Sequence, residues 1–216
     1  MNILLKELSY GNPTVKEKSL LDKKCLVDDL FNKFKSMPFP ENDSESTKQE
    51  INDVVSFLSD IQQSDNSKFL NRYKFYDRNL FQAISNSFQS KEFDVSELCL
   101  DIKNDIENLI IRLKYNYNRP RPFQLAKHYK VSLFPFETKT GNNPSYPSKS
   151  LIYAYVILNV IANKDTEFSE RAKSMIDDVS YSRLYLGLNF ETDNDFSYLI
   201  AQEILKHPNF TKKHNI

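Results

Sequence analysis

Glycine is scarce, with three residues in a chain of 216. That scarcity argues against a Rossmann sheet, a P-loop or a hairpin-rich β fold, which need glycine where the backbone turns tightly or meets a ligand. Tryptophan is absent, and cysteine nearly so. Cys25 and Cys99 alone make neither a disulfide framework nor a zinc site, and they read as reduced thiols. An excess of either charge is also missing: 29 Lys and Arg face 29 Asp and Glu. A global basic field for nucleic acid or anionic lipid is therefore excluded, though a local patch is not. Long apolar runs are lacking too. The longest, residues 151–162, is interrupted by Asn159, whereas a membrane span needs about 20 residues. The opening MNILLKELSYGNPTVKEK has no basic stretch followed by an apolar core of the secretory kind. These absences predict a soluble, cytoplasmic protein with no membrane span and no nucleic-acid partner.

What the chain does hold is aromatic and helical. Sixteen phenylalanines and 12 tyrosines suit a helical core packed with rings. Apolar residues recur at helical spacing over 15–36, 48–62, 67–89 and from Asp94 or Ser96 to about 116. Ser46 or Thr47 is placed to cap the second of these. Pro120 and Pro122 break the pattern, and residues 132–147 read as a loop. Three further helices are expected over 148–163, 166–188 and 192–206, after which HPNFTKKHNI reads as a frayed tail. Almost nothing reads as strand. The fold class is therefore all-α, a helical bundle, divided into an amino-terminal helical region (1–92) packed on a core (93–216).

Three stretches concentrate anion-binding groups. KYNYNRPRP (114–122) places Lys114, Arg119 and Arg121 where a helix ends. SYPSKS (145–150) places Ser148 and Lys149 at the start of the next buried helix, where backbone N–H groups face outward. SYSRLYLGLNFETD (180–193) places Arg183 on a helix and Asp193 ten residues later. Read alone, Arg119 is a surface residue that enlarges a basic patch, and Ser148 is a helix cap.

The order of the three stretches resembles the superfamily of type 2 phosphatidic acid phosphatases, class A bacterial acid phosphatases and vanadium haloperoxidases. That family's first motif is Lys, six residues, Arg-Pro, and Lys114 to Arg121-Pro122 fits without a gap. Its second is Pro-Ser-Gly-His. Pro147-Ser148 match, but Lys149 stands for Gly and Ser150 for His. Its third is Ser-Arg, five residues, His, three residues, Asp. Ser182-Arg183 and Asp193 match, but Asn189 stands for His. Ser145-Tyr146, Ala154-Tyr155 and Gly187 flank the motifs as in the family. The resemblance covers residues 114–193 and looks closest to short soluble versions from bacteriophages, with which the glycine-poor composition is compatible.

The resemblance implies a helical-bundle fold and phosphoryl transfer to the third-motif histidine, with the following Asp orienting its ring and the second-motif histidine protonating the leaving oxygen. It also implies a phosphate site of Lys114, Arg121, Ser148, Lys149 and Arg183, with no cofactor or metal and with phosphate or vanadate as the bound anion. Phosphoryl transfer depends on positioning and on charge stabilisation across the equatorial oxygens, which Arg forks and a Lys point charge supply. It also needs a nucleophile with a free lone pair. The amide nitrogen at Asn189 has none, and a serine at 150 is no general acid at neutral pH.

The expectation is thus a degenerate, catalytically inactive phosphatase-like protein. It keeps an anion cradle and acts as a binding, structural or assembly protein through a protein partner or self-association. The alternatives are an active phosphomonoesterase with an altered mechanism and a sensor of a phosphorylated small molecule. The Lys149 ammonium either leans into the old pocket or is solvated. Lys114, Arg121 and Arg183 either cradle an anion or survive as structural ion pairs with Asp193 or with carboxylates of the amino-terminal helices. His128, the only histidine near the motifs, reads as a surface residue rather than a substitute acid or base.

Overall fold

The computed structural model describes residues 4–63 and 67–216. Residues 1–3 and 64–66, which fall within the amino-terminal region expected over 1–92, lie outside the described residues. Ten α-helices follow in order: α1 Val15–Leu21, α2 Leu30–Phe34, α3 Glu45–Gln63, α4 Ser67–Ser87, α5 Val95–Tyr117, α6 Pro122–Ala126, α7 Lys149–Lys164, α8 Ser169–Tyr185, α9 Glu191–Lys206 and α10 Pro208–His214. No strand occurs among the described residues, so the all-α expectation holds.

The hub is α7. Leu151, Ile152, Ala154, Val156, Ile157, Leu158, Val160 and Ile161 are all completely buried. An apolar helix of this kind cannot face water on any side and must be wrapped by others. α8, α9, α5 and α4 supply the wrapping. α5 is the long partner, started by Asp94, whose carboxylate accepts from the backbone N–H groups of Ser96 (2.7 Å) and Glu97 (3.1 Å). It presents Ile102, Ile106, Leu109 and Leu113 to the core.

Several boundaries differ from expectation. The helix expected over 15–36 is two short ones, because Asp22, Lys23 and Lys24 offer nothing to bury and the chain turns there before Val27 re-enters the core. The capping side chain of α3 is Ser44, which accepts from the Thr47 N–H at 3.1 Å, not Ser46 or Thr47. Pro122 starts a helix rather than ending one. Its missing N–H falls at the first helical turn, where no partner is required. The tail is not frayed: α10 closes the chain, with Phe210 fully buried and His214 Nε2 2.8 Å from Asp105.

Three devices bring the motif stretches together. α5 ends at Asn118 in the left-handed region (φ 50°), which turns Arg119 and Arg121 inward. Tyr146–Pro147 is a cis peptide at the entry to α7. Gly187, at φ 71°, reverses the chain after α8, so that Leu188 and Asn189 donate their N–H groups back to the Arg183 carbonyl (3.0 and 3.2 Å). A side chain at Gly187 would be strained by that φ and would lie 3.1 Å from Leu58 and 3.3 Å from Pro135.

Candidate active site

Lys114, Arg121, Ser148, Lys149, Ser150, Arg183 and Asn189 converge on one small cavity between the end of α5, the start of α7 and the α8–α9 turn, with Thr140 and Asn143 completing its wall. Every residue expected from the sequence at the phosphate site is thus in one place, as are Ser150 and Asn189, which stand where the motif resemblance has histidine. Asp193 stands directly behind. Ser182 does not take part; its hydroxyl donates to the Val179 carbonyl. His128 is exposed and lies outside the cavity lining.

Asn189 is the centre of the wall. Its carboxamide oxygen accepts from Arg121 (3.1 Å) and from Arg183 (3.2 Å). Its amide nitrogen donates to the Ser145 carbonyl (2.8 Å) and to the Asp193 carboxylate (3.0 Å). Both N–H groups and the carbonyl of this buried side chain are therefore engaged. Asp193 also accepts from the Phe190 N–H at 2.9 Å, which fixes the carboxylate at the start of α9.

The arginines are held from within. All five N–H groups of Arg121 have acceptors: the carbonyls of Asn143, Leu188 and Thr140, and the side-chain oxygens of Asn189 and Asn143. Burial and the nearby Arg183 bring its pKa down to about 10. Arg183 pairs with Asp77 of α4 at 3.0 Å and donates to Thr140 Oγ1 at 2.9 Å. Asp77 accepts in addition from the Thr140 hydroxyl and from the Lys139 N–H. Burial lowers the Arg183 pKa, against the pull of Asp77.

Arg119 overturns the surface reading. It is fully buried and pairs with Glu50 of α3 (2.9 Å) and Asp193 (2.7 Å). Its guanidinium also lies 4.1 Å from the Phe190 ring centre. A cation needs either water or anions, and two carboxylates on elements far apart in sequence supply the anions here. Glu50, Asp77 and Thr140 were not anticipated by name. Glu50 and Asp77 were nonetheless visible in principle: Glu50 sits in the buried stripe Thr47, Ile51, Val54, Leu58, and Asp77 one turn beyond Tyr73.

The α5–α7 side of the cavity is different. Lys114 is buried and donates to the Pro144 carbonyl, its one acceptor. Burial, then Arg121 and Lys149, hold its pKa well below the ordinary lysine value. Lys149 is half-buried, lines the cavity, and has neither a hydrogen bond nor an ion pair among the described residues; its pKa is lowered chiefly by burial. Ser148 does not cap α7 through its side chain. Its hydroxyl is buried without a partner, while its backbone N–H donates to Ser197 Oγ at 2.7 Å. The cavity these groups surround measures about 10 Å³, room for a single water.

A second polar cluster joins α5 to α10. Asp101, Asp105 and His214 could together reach one metal ion. The Lys213 ammonium already lies 2.7 Å from each of the two carboxylates and ties the last helix down.

No protein-family model matches the chain, and no curated protein does. Among solved structures, the crystal structure of a transmembrane PAP2-type phosphatidylglycerolphosphate phosphatase from Bacillus subtilis superposes with a TM-score of 0.56, over 93% of this chain and 98% of that one, at 19% sequence identity. The fold is that of a PAP2-type phosphatase. Within this fold the three stretches, separated by dozens of residues, end at one cavity. Unlike its transmembrane neighbour, this chain has no helix, among the described residues, long and apolar enough to cross a membrane.

Proposed function

We propose that this chain is a phosphatase-like protein that does not hydrolyse phosphate esters and acts by binding. The observation that carries this reading is the engagement of Asn189. In the motif resemblance that position holds the attacking histidine. Here the amide nitrogen is delocalised into its carbonyl, and both of its protons are donated to Ser145 and Asp193. This nitrogen offers no lone pair to the cavity, and attack on phosphorus from this position requires one.

Two further features support the reading. Ser150, in the position of the proton donor, is a hydroxyl that stays neutral and does not protonate a leaving oxygen near pH 7. Arg121 and Arg183 spend their hydrogen bonds on protein acceptors, and the remaining space of about 10 Å³ is too small for a tetrahedral phosphate. The cationic cluster that serves phosphate in an active relative is, in this reading, an anion-affine element of the scaffold. The functional surface lies elsewhere, toward a protein partner or a second copy, in the cytoplasm of a host cell or in a virion.

The experiment is turnover of an aryl phosphate by the purified chain and by Arg183→Ala, with light scattering on the same samples. No phosphate release from either protein, with a defined assembly size, is the expected result. Release that disappears in Arg183→Ala would overturn the reading in favour of an altered hydrolase.

A further inference from the structure

The cavity separates into two sides with different needs. On the α8–α9 side, Arg121 and Arg183 are matched by Asn189, Thr140 and Asp77. On the α5–α7 side, donors exceed acceptors. Lys114 has three N–H groups and one protein acceptor. Ser148, 2% exposed, has a hydroxyl with no partner among the described residues. Among the described residues Lys149 has no acceptor, and Glu107 and Glu17, whose charges act on it, form no ion pair with it.

Charge points the same way. Four cationic side chains line the cavity and no carboxylate does. The two carboxylates closest behind the wall are already committed, Asp77 to Arg183 and Asp193 to Arg119. A buried ammonium without a counter-charge is costly, and a buried donor without an acceptor adds to that cost. One water would accept two hydrogen bonds and neutralise nothing. An anion would accept from every spare donor and offset the charge as well.

Size then selects the anion. The space holds one water-sized body. A phosphate or sulfate, with five heavy atoms, would have to expel Asn189 or Lys149. A monatomic halide is little larger than water and needs no fixed directions from its donors.

We infer that the cavity between Lys114, Ser148 and Lys149 binds a single halide ion, chloride in the cell, and excludes tetrahedral oxyanions. The halide stands between two ammonium groups and the Ser148 hydroxyl, beside the wall formed by Asn189. It is a fixed structural counter-ion, not a substrate. This rests on the non-hydrolytic reading of the same cavity, because a working phosphate site would need the space that Asn189 fills.

Bromide tests it on the full-length chain. Crystals soaked in sodium bromide are expected to show an anomalous peak at the Lys114–Ser148 wall, and crystals soaked in phosphate are expected to show no tetrahedral density at the same place. In solution, bromide should raise the melting temperature of the parent protein at fixed ionic strength. Ser148→Ala, which removes a hydroxyl that holds nothing in the protein, should fold normally and bind bromide about tenfold more weakly, the share of one hydrogen bond to an ion. Lys149→Met should weaken it as well. Water density at saturating bromide, equal affinity in Ser148→Ala, or displacement of bromide by phosphate would each overturn the inference. Aryl phosphate turnover is read separately: its appearance sinks the non-hydrolytic reading, whereas a halide-free cavity without turnover sinks only this one.

Discussion

Asn189 donates its carboxamide N–H to the Asp193 carboxylate across 3.0 Å, one helical turn away, and so turns its own oxygen toward Arg121 and Arg183. In a histidine–aspartate pair the carboxylate would orient a ring for attack. Here the same arrangement aims an acceptor at two cations. The amide supplies the negative pole that an incoming phosphate oxygen would otherwise supply, and the two arginines keep their acceptors with no substrate present.

Asn189→Ala removes that pole. Arg121 and Arg183 each lose an acceptor in a buried setting, and Asp193 loses a donor. A destabilisation of about 2–4 kcal/mol is expected from unpaired buried groups of this kind. Urea unfolding with an unchanged m-value checks it.

Arg119→Met leaves Glu50 and Asp193 facing each other without their shared cation. The expected loss is about 3–5 kcal/mol, the usual result of breaking a buried ion pair from one side. Adding Glu50→Gln removes one stranded charge, so the double variant should be less destabilised than the two single losses added together. Additive losses in the cycle would contradict the pairing.

Lys114 gives a pH signature. Its folded-state pKa is depressed by burial below the ordinary 10.5. Between the two values the unfolded chain holds more protons, so stability rises with pH across that interval; below it the full cost of the buried ammonium is present. The unfolding free energy of the parent protein minus that of Lys114→Met should therefore climb as pH rises from the depressed folded-state value toward about pH 10. A flat or falling difference would refute the assignment.

The helices of the core are legible because apolar residues recur every third or fourth position and α7 carries an apolar run over 151–162 broken only by Asn159. The motif resemblance also groups Lys114, Arg121, Ser148, Lys149 and Arg183, with Asn189 beside them, and these side chains line one cavity. What the sequence concealed was the source of the counter-charges. Arg119 looks like a surface residue until Glu50 and Asp193 approach it, and those approaches depend on how α3 and α9 pack, which local spacing does not encode. The same holds for Asp77. Ser148 followed the composition rule for a cap, yet its backbone found Ser197 and its hydroxyl was left facing the cavity. The ending HPNFTKKHNI looks frayed because its few apolar residues carry no periodicity, but Phe210 is fully buried in the core and Ile216 packs against it.

Phe210→Ala tests that last point. A fully buried aromatic costs about 3–5 kcal/mol on truncation, whereas a residue in a frayed end costs under about 0.5 kcal/mol. Thermal unfolding distinguishes the two, and a loss at the large end is expected.

The central claim is that Asn189, standing where the resemblance places the attacking group, cannot take a phosphoryl group from a substrate. Intact-protein mass spectrometry of the purified chain, quenched after incubation with an aryl phosphate, addresses that claim directly while released phenol is followed in the same tube. The account predicts an unmodified mass and no phenol beyond the buffer control. A phosphoryl adduct on the chain, or phenol release that vanishes in Arg183→Ala, would contradict it.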